Sequence, residues 1–266
     1  MSPAWAAPET GKGNSEIKNI QLCNGADRSS PELQIAGCTA VIDLRGEAAP
    51  VLAIAHNNRG DAYSSKGEYD RAIADYDLAL KLDPKLVKAF NNRGVAHRKK
   101  KEYGRAIEDF DAAIELDPRY ANAFANRAEA YQEQRDYWRA MQDFDIAIRL
   151  APTVEAVWNG RCWTRAIVGE LQSALADCNK ALLIKSDDAA TRDSRGLIYL
   201  KMGQFESAIQ DYDLAVRAEP KLASALYGRG VAKLKKGDRT GADADFAAAK
   251  RLDPAIADEF SHYGVR

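Results

Sequence analysis

Apolar residues recur at helical spacing, in two stripes that alternate along most of the chain. One stripe runs through Phe90, Gly94 and His97, the next through Ala106, Ile107, Phe110, Ala113 and Ile114. Spacings of three and four place each stripe on one face of a helix. A turn such as Ser65-Lys66-Gly67-Glu68 separates the two helices, and Leu82-Asp83-Pro84 or Leu116-Asp117-Pro118 closes the pair. Proline suits that end because it cannot continue the helical hydrogen-bond ladder and restricts the residue before it.

The pair returns every 34 residues. Arg recurs at 59, 93, 127, 161, 195 and 229, and Asp at 75, 109, 143, 177, 211 and 245. Ala recurs at 72, 106, 140, 174, 208 and 242, and Pro at 84, 118, 152, 220 and 254, with Ser186 in the remaining place. Six units follow, 53–86, 87–120, 121–154, 155–188, 189–222 and 223–256. Positions within a unit are numbered here as slots 1 to 34, starting at Ala53. A fainter helix pair over 17–52 and part of a first helix over 257–266, with Phe260 and Gly264 in phase, predict caps. A solenoid needs such ends to cover its terminal apolar faces.

The small residue at slot 8 (Gly60, Gly94, Ala128, Cys162, Gly196, Gly230), the alanines at slots 20 and 27 and the aromatic at slot 24 (Tyr76, Phe110, Phe144, Tyr212, Phe246) resemble the tetratricopeptide repeat (TPR). The resemblance covers about 53–256. It implies an all-α fold, a right-handed α-solenoid of stacked antiparallel helix pairs whose first helices line a concave groove. Two features depart from the family pattern. Slot 4 is aromatic only in Phe90, Phe124 and Trp158, and slot 7 carries the repeating Arg where Leu is usual.

On a helical wheel the slot-7 Arg and the slot-23 Asp each sit about 60° from the packed stripe of their helix. Arg59, Arg93, Arg127, Arg161, Arg195 and Arg229 therefore flank the same seam as Asp75, Asp109, Asp143, Asp177, Asp211 and Asp245. A repeated structural ion pair is the preferred reading, since an Asp matches every Arg; a row of Arg for anionic ligands is the alternative. Slots 2, 6, 9 and 13 lie opposite the packed stripe, where the resemblance places the groove. Asn58, Asn92 and Asn126 fill slot 6, and Asn57 and Asn91 stand beside them at slot 5. An amide offers both a donor and an acceptor, matching an extended peptide backbone. This is similar to the asparagine ladder of the TPR superhelix in O-GlcNAc transferase. The alternative is solvated Asn near a helix start.

The expected groove is graded. Lys88, Arg98 and Lys99 make the second unit basic, Glu129 and Glu133 make the third acidic, and Trp163, Leu197 and Tyr227 make the later ones apolar. A segment with an acidic part and an aromatic or aliphatic part would suit it. The clamp by which TPR adaptors hold chaperone tails requires two Lys, two Asn and an Arg; only Asn58 and Lys88 stand in suitable slots.

Four cysteines form pairs of similar spacing, Cys23 with Cys38 and Cys162 with Cys178. Each pair could bridge one helix hairpin, which implies an oxidising compartment. The alternative for Cys162 and Cys178 is two small apolar fillers in a reduced protein. His56, His97 and His262 are scattered and no CxxC occurs, so no zinc site or other metal is expected. No cofactor is expected either. There is no nucleophile elbow, phosphate loop or HExxH, so the chain reads as no enzyme.

Lys and Arg number 38 against 39 Asp and Glu, and a net charge of −1 gives no pull toward nucleic acid or anionic membrane. No apolar run approaches the ~18 residues of a membrane span. Residues 1–16 read as unstructured, while Ala4-Trp5-Ala6-Ala7-Pro8 looks like the tail of an export signal. The expected function is protein–protein interaction; a resemblance to exported bacterial TPR proteins, through the paired cysteines and the end repeat IAGCTAVI (35–42), implies a periplasmic or secreted adaptor, with a cytoplasmic location as the alternative. A homo-oligomeric scaffold joined around Phe260 and Tyr263, or a regulatory subunit of a protease or cell-wall enzyme, are the other readings.

Overall fold

The computed structural model describes residues 13–25, 30–44 and 46–265. The expectations for residues 1–12, an unstructured start and the tail of an export signal, lie outside the described residues. Among the described residues there are fifteen helices and no strand. Contacts divide the chain into two units, residues 1–130 and 131–266.

The first unit holds α1 (Asn14–Cys23), α2 (Pro31–Ile42), α3 (Ala49–Ser65), α4 (Tyr69–Leu82), α5 (Val87–Lys99) and α6 (Tyr103–Leu116), and most of α7 (Ala121–Glu133). Helix α1 takes in Asn14–Glu16, which the sequence reading left unstructured; Gly13 in extended backbone opens it. The second unit holds α8 (Tyr137–Leu150), α9 (Glu155–Val168), α10 (Leu171–Ile184), α11 (Ala189–Lys201), α12 (Phe205–Ala218), α13 (Ala223–Lys235), α14 (Arg239–Leu252) and α15 (Ile256–His262).

Helices pair because a small residue on the first meets a ring on the second. A Cβ added at Gly94 would lie 2.6 Å from Phe110, and one at Gly60 would lie 2.6 Å from Tyr76. Phe110 is fully buried in this seam, and burying such a side chain stabilises by roughly 2–3 kcal/mol. Ala72, Ala79, Ala106 and Ala113 have no exposed surface, so the second helices lie close on both sides.

The hairpin turn needs a left-handed residue, and Gly67 supplies it at φ 75°, as Gly203 does at 73°. In two units the same slot holds Lys101 and Arg135, at φ 63° and 61°. At the other end of the pair, Asp83, Asp117 and Asp253 accept from the backbone N–H two residues on, bridging Pro84, Pro118 and Pro254.

Candidate functional site

The slot-7 arginines reach across to the preceding helix pair. Arg93 donates from Nη2 to Asp109 at 2.6 Å and from Nη1 to Asp77 of the preceding helix pair at 2.6 Å. Arg161 repeats this with Asp177 and Asp145, Arg229 with Asp245 and Asp213, and Arg195 with Asp211 and Asn179. Arg127 holds Asp111, and Arg59 holds Asp75 together with Thr39. Asp143 is buried. The guanidinium fork thus ties a helix pair internally and to the pair before it. Burial and the guanidinium act oppositely on these acids. Burial prevails at Asp109, whose pKa is raised; hydrogen bonds from Arg59 and His56 prevail over burial at Asp75, whose pKa is lowered.

The first unit carries a chain of amides. Asn126 donates to Asn91 at 2.8 Å, Asn91 to Asn92 at 3.1 Å, Asn92 to Asn57 at 3.2 Å, Asn57 to Asn58 at 3.3 Å and Asn58 to Asn24 at 3.2 Å. Asn57 and Asn91 are buried, which corrects their placement on an open groove. A wheel orients a residue on its own helix, and here the next first helix covers slot 5. Asn58, Asn92 and Asn126 remain half-buried.

Asp61, one turn beyond Asn57 and not singled out in the sequence, anchors this network. It accepts from Tyr76 Oη and from Asn92 Nδ2, both at 2.8 Å. Burial lifts its pKa to about 6, against the pull of those two donors and of Lys88. The available signal was an acid at slot 9 in phase with a Tyr, rather than a Phe, at slot 24. Lys88 and Lys99 are exposed, whereas Arg98 bonds Glu129 at 2.7 Å. That pair cancels the expected step from basic to acidic.

In the second unit the expected apolar groove is partly filled by the chain's own C-terminal helix. Leu197 is 4% exposed and belongs to one apolar cluster with Phe260 and Val265. Tyr263 meets Trp163 edge-on at 5.6 Å, and Tyr227 meets Phe260 at 4.8 Å. Trp163 and Tyr227 stay half-buried. The slot-6 residues here are glycines in two of three units. A Cβ at Gly160 would collide with Phe144 and one at Gly228 with Tyr212, so α9 and α13 lie directly on the slot-24 rings. Two polar groups in this wall were not foreseen. Asp193 accepts from Ser224 at 2.6 Å, and the buried Tyr212 hydroxyl has no hydrogen-bond partner.

Both cysteine pairs stand at disulfide distance, with Cα–Cα 4.4 Å for Cys23–Cys38 and 5.4 Å for Cys162–Cys178. Cys162 and Cys178 replace the small residue and the ring of the α9–α10 seam, so the bond takes the place of ring packing there. No described helix is long and apolar enough to cross a membrane.

Family models agree with this repeat geometry. TPR repeat models match residues 60–101 and 196–237, and tetratricopeptide repeat models match 87–120 and 110–142. No curated protein matches the chain in sequence. Among solved structures, a tetratricopeptide repeat protein from Parabacteroides merdae is 20% identical with a TM-score of 0.72, covering 95% of this chain and 100% of its own. PilF of Pseudomonas aeruginosa is 22% identical with a TM-score of 0.66, covering 79% of this chain and 96% of its own. YrrB, a TPR protein with an unusual peptide-binding site, is 20% identical with a TM-score of 0.51, covering 70% and 97%. At these identities the likeness is one of fold. Period, seam residues, paired helices and matching models converge: the chain carries tetratricopeptide repeats, matched by the models over 60–142 and 196–237.

Proposed function

We propose that this protein is a non-catalytic interaction module that holds an extended peptide or a partner helix against its first helices, as adaptor or scaffold. The observation that carries the reading is the amide chain of the first unit. Asn58, Asn92 and Asn126 stand in register on successive first helices and keep part of their surface open. Both amide hydrogens of Asn92 are taken by Asn57 and Asp61, but Asn58 and Asn126 each keep a second hydrogen and every amide oxygen a second lone pair, so the row can still meet a peptide backbone. Lys88 and Lys99, exposed on the same helix, favour a segment with acidic residues.

The two disulfide-spaced pairs favour an exported protein, since such bonds persist in oxidising compartments. A scaffold joined through Phe260 is disfavoured, because that ring is 2% exposed and already packed. The test is selection from a random dodecamer peptide library on the wild-type chain and on an Asn58/Asn92/Asn126→Ala variant checked for retained helicity. Enrichment on wild type, reduced on the variant, is the expected result. Equal enrichment on both would remove the amide row from the function. No enrichment on wild type would remove the groove reading itself.

A further inference from the structure

Slot-23 acids of this chain come with cations. Asp75, Asp109, Asp177, Asp211 and Asp245 each accept from a slot-7 Arg. Asp193 on α11 differs. Its Oδ2 accepts one hydrogen bond, from the neutral Ser224 hydroxyl on α13. No Lys or Arg among the described residues pairs with it, and Glu219 adds a charge of its own sign. The residue is half-buried, and the protein around its carboxylate lifts its pKa to about 7. Burial raises the phenols of Tyr212 and Tyr263; the charge of Asp193 adds to this at Tyr212, and that of Glu259 at Tyr263. Tyr263 is in ring contact with Trp163. Arg side chains lie over Tyr63, Phe90, Phe124, Tyr131, Trp158 and Tyr199, but among the described residues none lies over Trp163 or Tyr263.

The first unit shows what the same slots do when complete. There Asn57 and Asp61 both accept from the amide nitrogen of Asn92, and Tyr76 donates to Asp61. In the second unit the slot of Asn57 holds Asp193, that of Asp61 holds Leu197 and that of Asn92 holds Gly228. Tyr212, the counterpart of Tyr76, keeps its hydroxyl but lacks an acceptor and is fully buried. The chain has thus concentrated acidity at Asp193 and removed the one nitrogen that serves this place in the first unit.

We propose that Asp193, held by Ser224 of α13 on the first helices of the second unit, binds the ammonium group of a lysine side chain from a protein partner. Ser224 holds one carboxylate oxygen, leaving a single oxygen for the ligand. A compact ammonium on a long stem fits that, whereas a guanidinium fork is matched to two coplanar acceptors. This inference rests on the reading of the first-helix face as the peptide-binding surface.

The probe is the same random dodecamer library, followed by synthetic, N-terminally acetylated copies of the enriched peptides. Lysine enrichment on wild type is expected. Asp193→Asn should weaken such a peptide at least about tenfold, and so should Lys→Gln in the peptide. The two changes together should lose no more than either alone. Asn keeps an acceptor for Ser224 and removes a buried charge, so the helical circular dichroism of the variant should match wild type. Enriched peptides that lack lysine, or that bind Asp193→Asn as well as wild type, would overturn the lysine site and leave the groove reading standing. If no peptide is enriched on wild type, the groove reading fails and this inference with it.

Discussion

Arg93→Ala and Arg161→Ala are the same substitution at the same slot, yet the surroundings assign them different costs. Asp109 is 6% exposed and receives Arg93 through Nε at 3.0 Å and Nη2 at 2.6 Å. The other basic side chain near it is His97, whose Nε2 lies 3.9 Å away, beyond a good hydrogen bond. Removing Arg93 therefore leaves a buried carboxylate without compensation, which costs about 3–5 kcal/mol. Loss of the exposed contact to Asp77 adds at most about 1 kcal/mol. Asp177, by contrast, keeps Arg165 Nη1 at 2.7 Å when Arg161 is removed. That variant should lose about 1–2 kcal/mol. Burial already raises the Asp109 pKa despite Arg93, and without Arg93 it rises further. A carboxylate that is easier to protonate folded than unfolded loses stability as pH rises through its folded pKa. The Arg93→Ala deficit should thus be larger at about pH 7.5 than at about pH 5. Urea denaturation gives the totals, and amide exchange in α6 and α10 localises them, since repeat arrays open by neighbouring units. Equal losses in the two variants, or a deficit for Arg93→Ala below about 1 kcal/mol at neutral pH, would refute the claim that these pairs neutralise buried acids.

Asp193→Asn should stabilise the free chain on the order of 1–2 kcal/mol at about pH 8 and little at about pH 5, because the wild-type acid loses stability as pH rises through its folded pKa; urea midpoints at the two pH values check this. Gly94→Ala should destabilise by about 1–3 kcal/mol through overpacking against Phe110. Gly104→Ala, with nothing within 4 Å of its Cβ, should stabilise by up to about 1 kcal/mol; thermal melts separate the pair. Lys101→Gly should raise stability by about 0.5–1 kcal/mol, because it relieves a left-handed Lys. Replacing Cys162 and Cys178 by Ala should cost about 3 kcal/mol in the chain-entropy model, and thiol titration of the native wild-type chain should find neither residue free.

The repeat was legible because every helix pair has to bury the same seam, so the residues that make it are forced to recur. Gly94 against Phe110 and Gly60 against Tyr76 show why slots 8 and 24 vary so little. The second partner of each arginine was less legible. Asp77, Asp111, Asp145 and Asp213 recur at one slot, but the sequence does not show which side of a helix the preceding pair covers. The same blindness placed Asn57 and Asn91 in an open groove when the next first helix buries them. It also left Trp163, Leu197 and Tyr227 bare, although the C-terminal helix packs among them through Phe260 and Tyr263. Periodicity reports a residue's position on its own helix; the neighbour that covers it is a property of the stack.

Slot 6 is where the two units diverge, and the divergence has a mechanical cause. An Asn there, as at 92 and 126, projects an amide toward the preceding first helix and bonds it, so neighbouring first helices meet through side chains. A Gly there removes the spacer. The slot-24 ring then lies against the backbone, as Phe144 does at Gly160 and Tyr212 at Gly228. An amide-lined face can offer hydrogen bonds in register to any extended chain and discriminates little among side chains. A face built on glycines brings rings and a lone acid together and can discriminate by charge and size. Under the proposed function, one repeat altered at slots 5, 6 and 9 supplies both a general grip and a selective one.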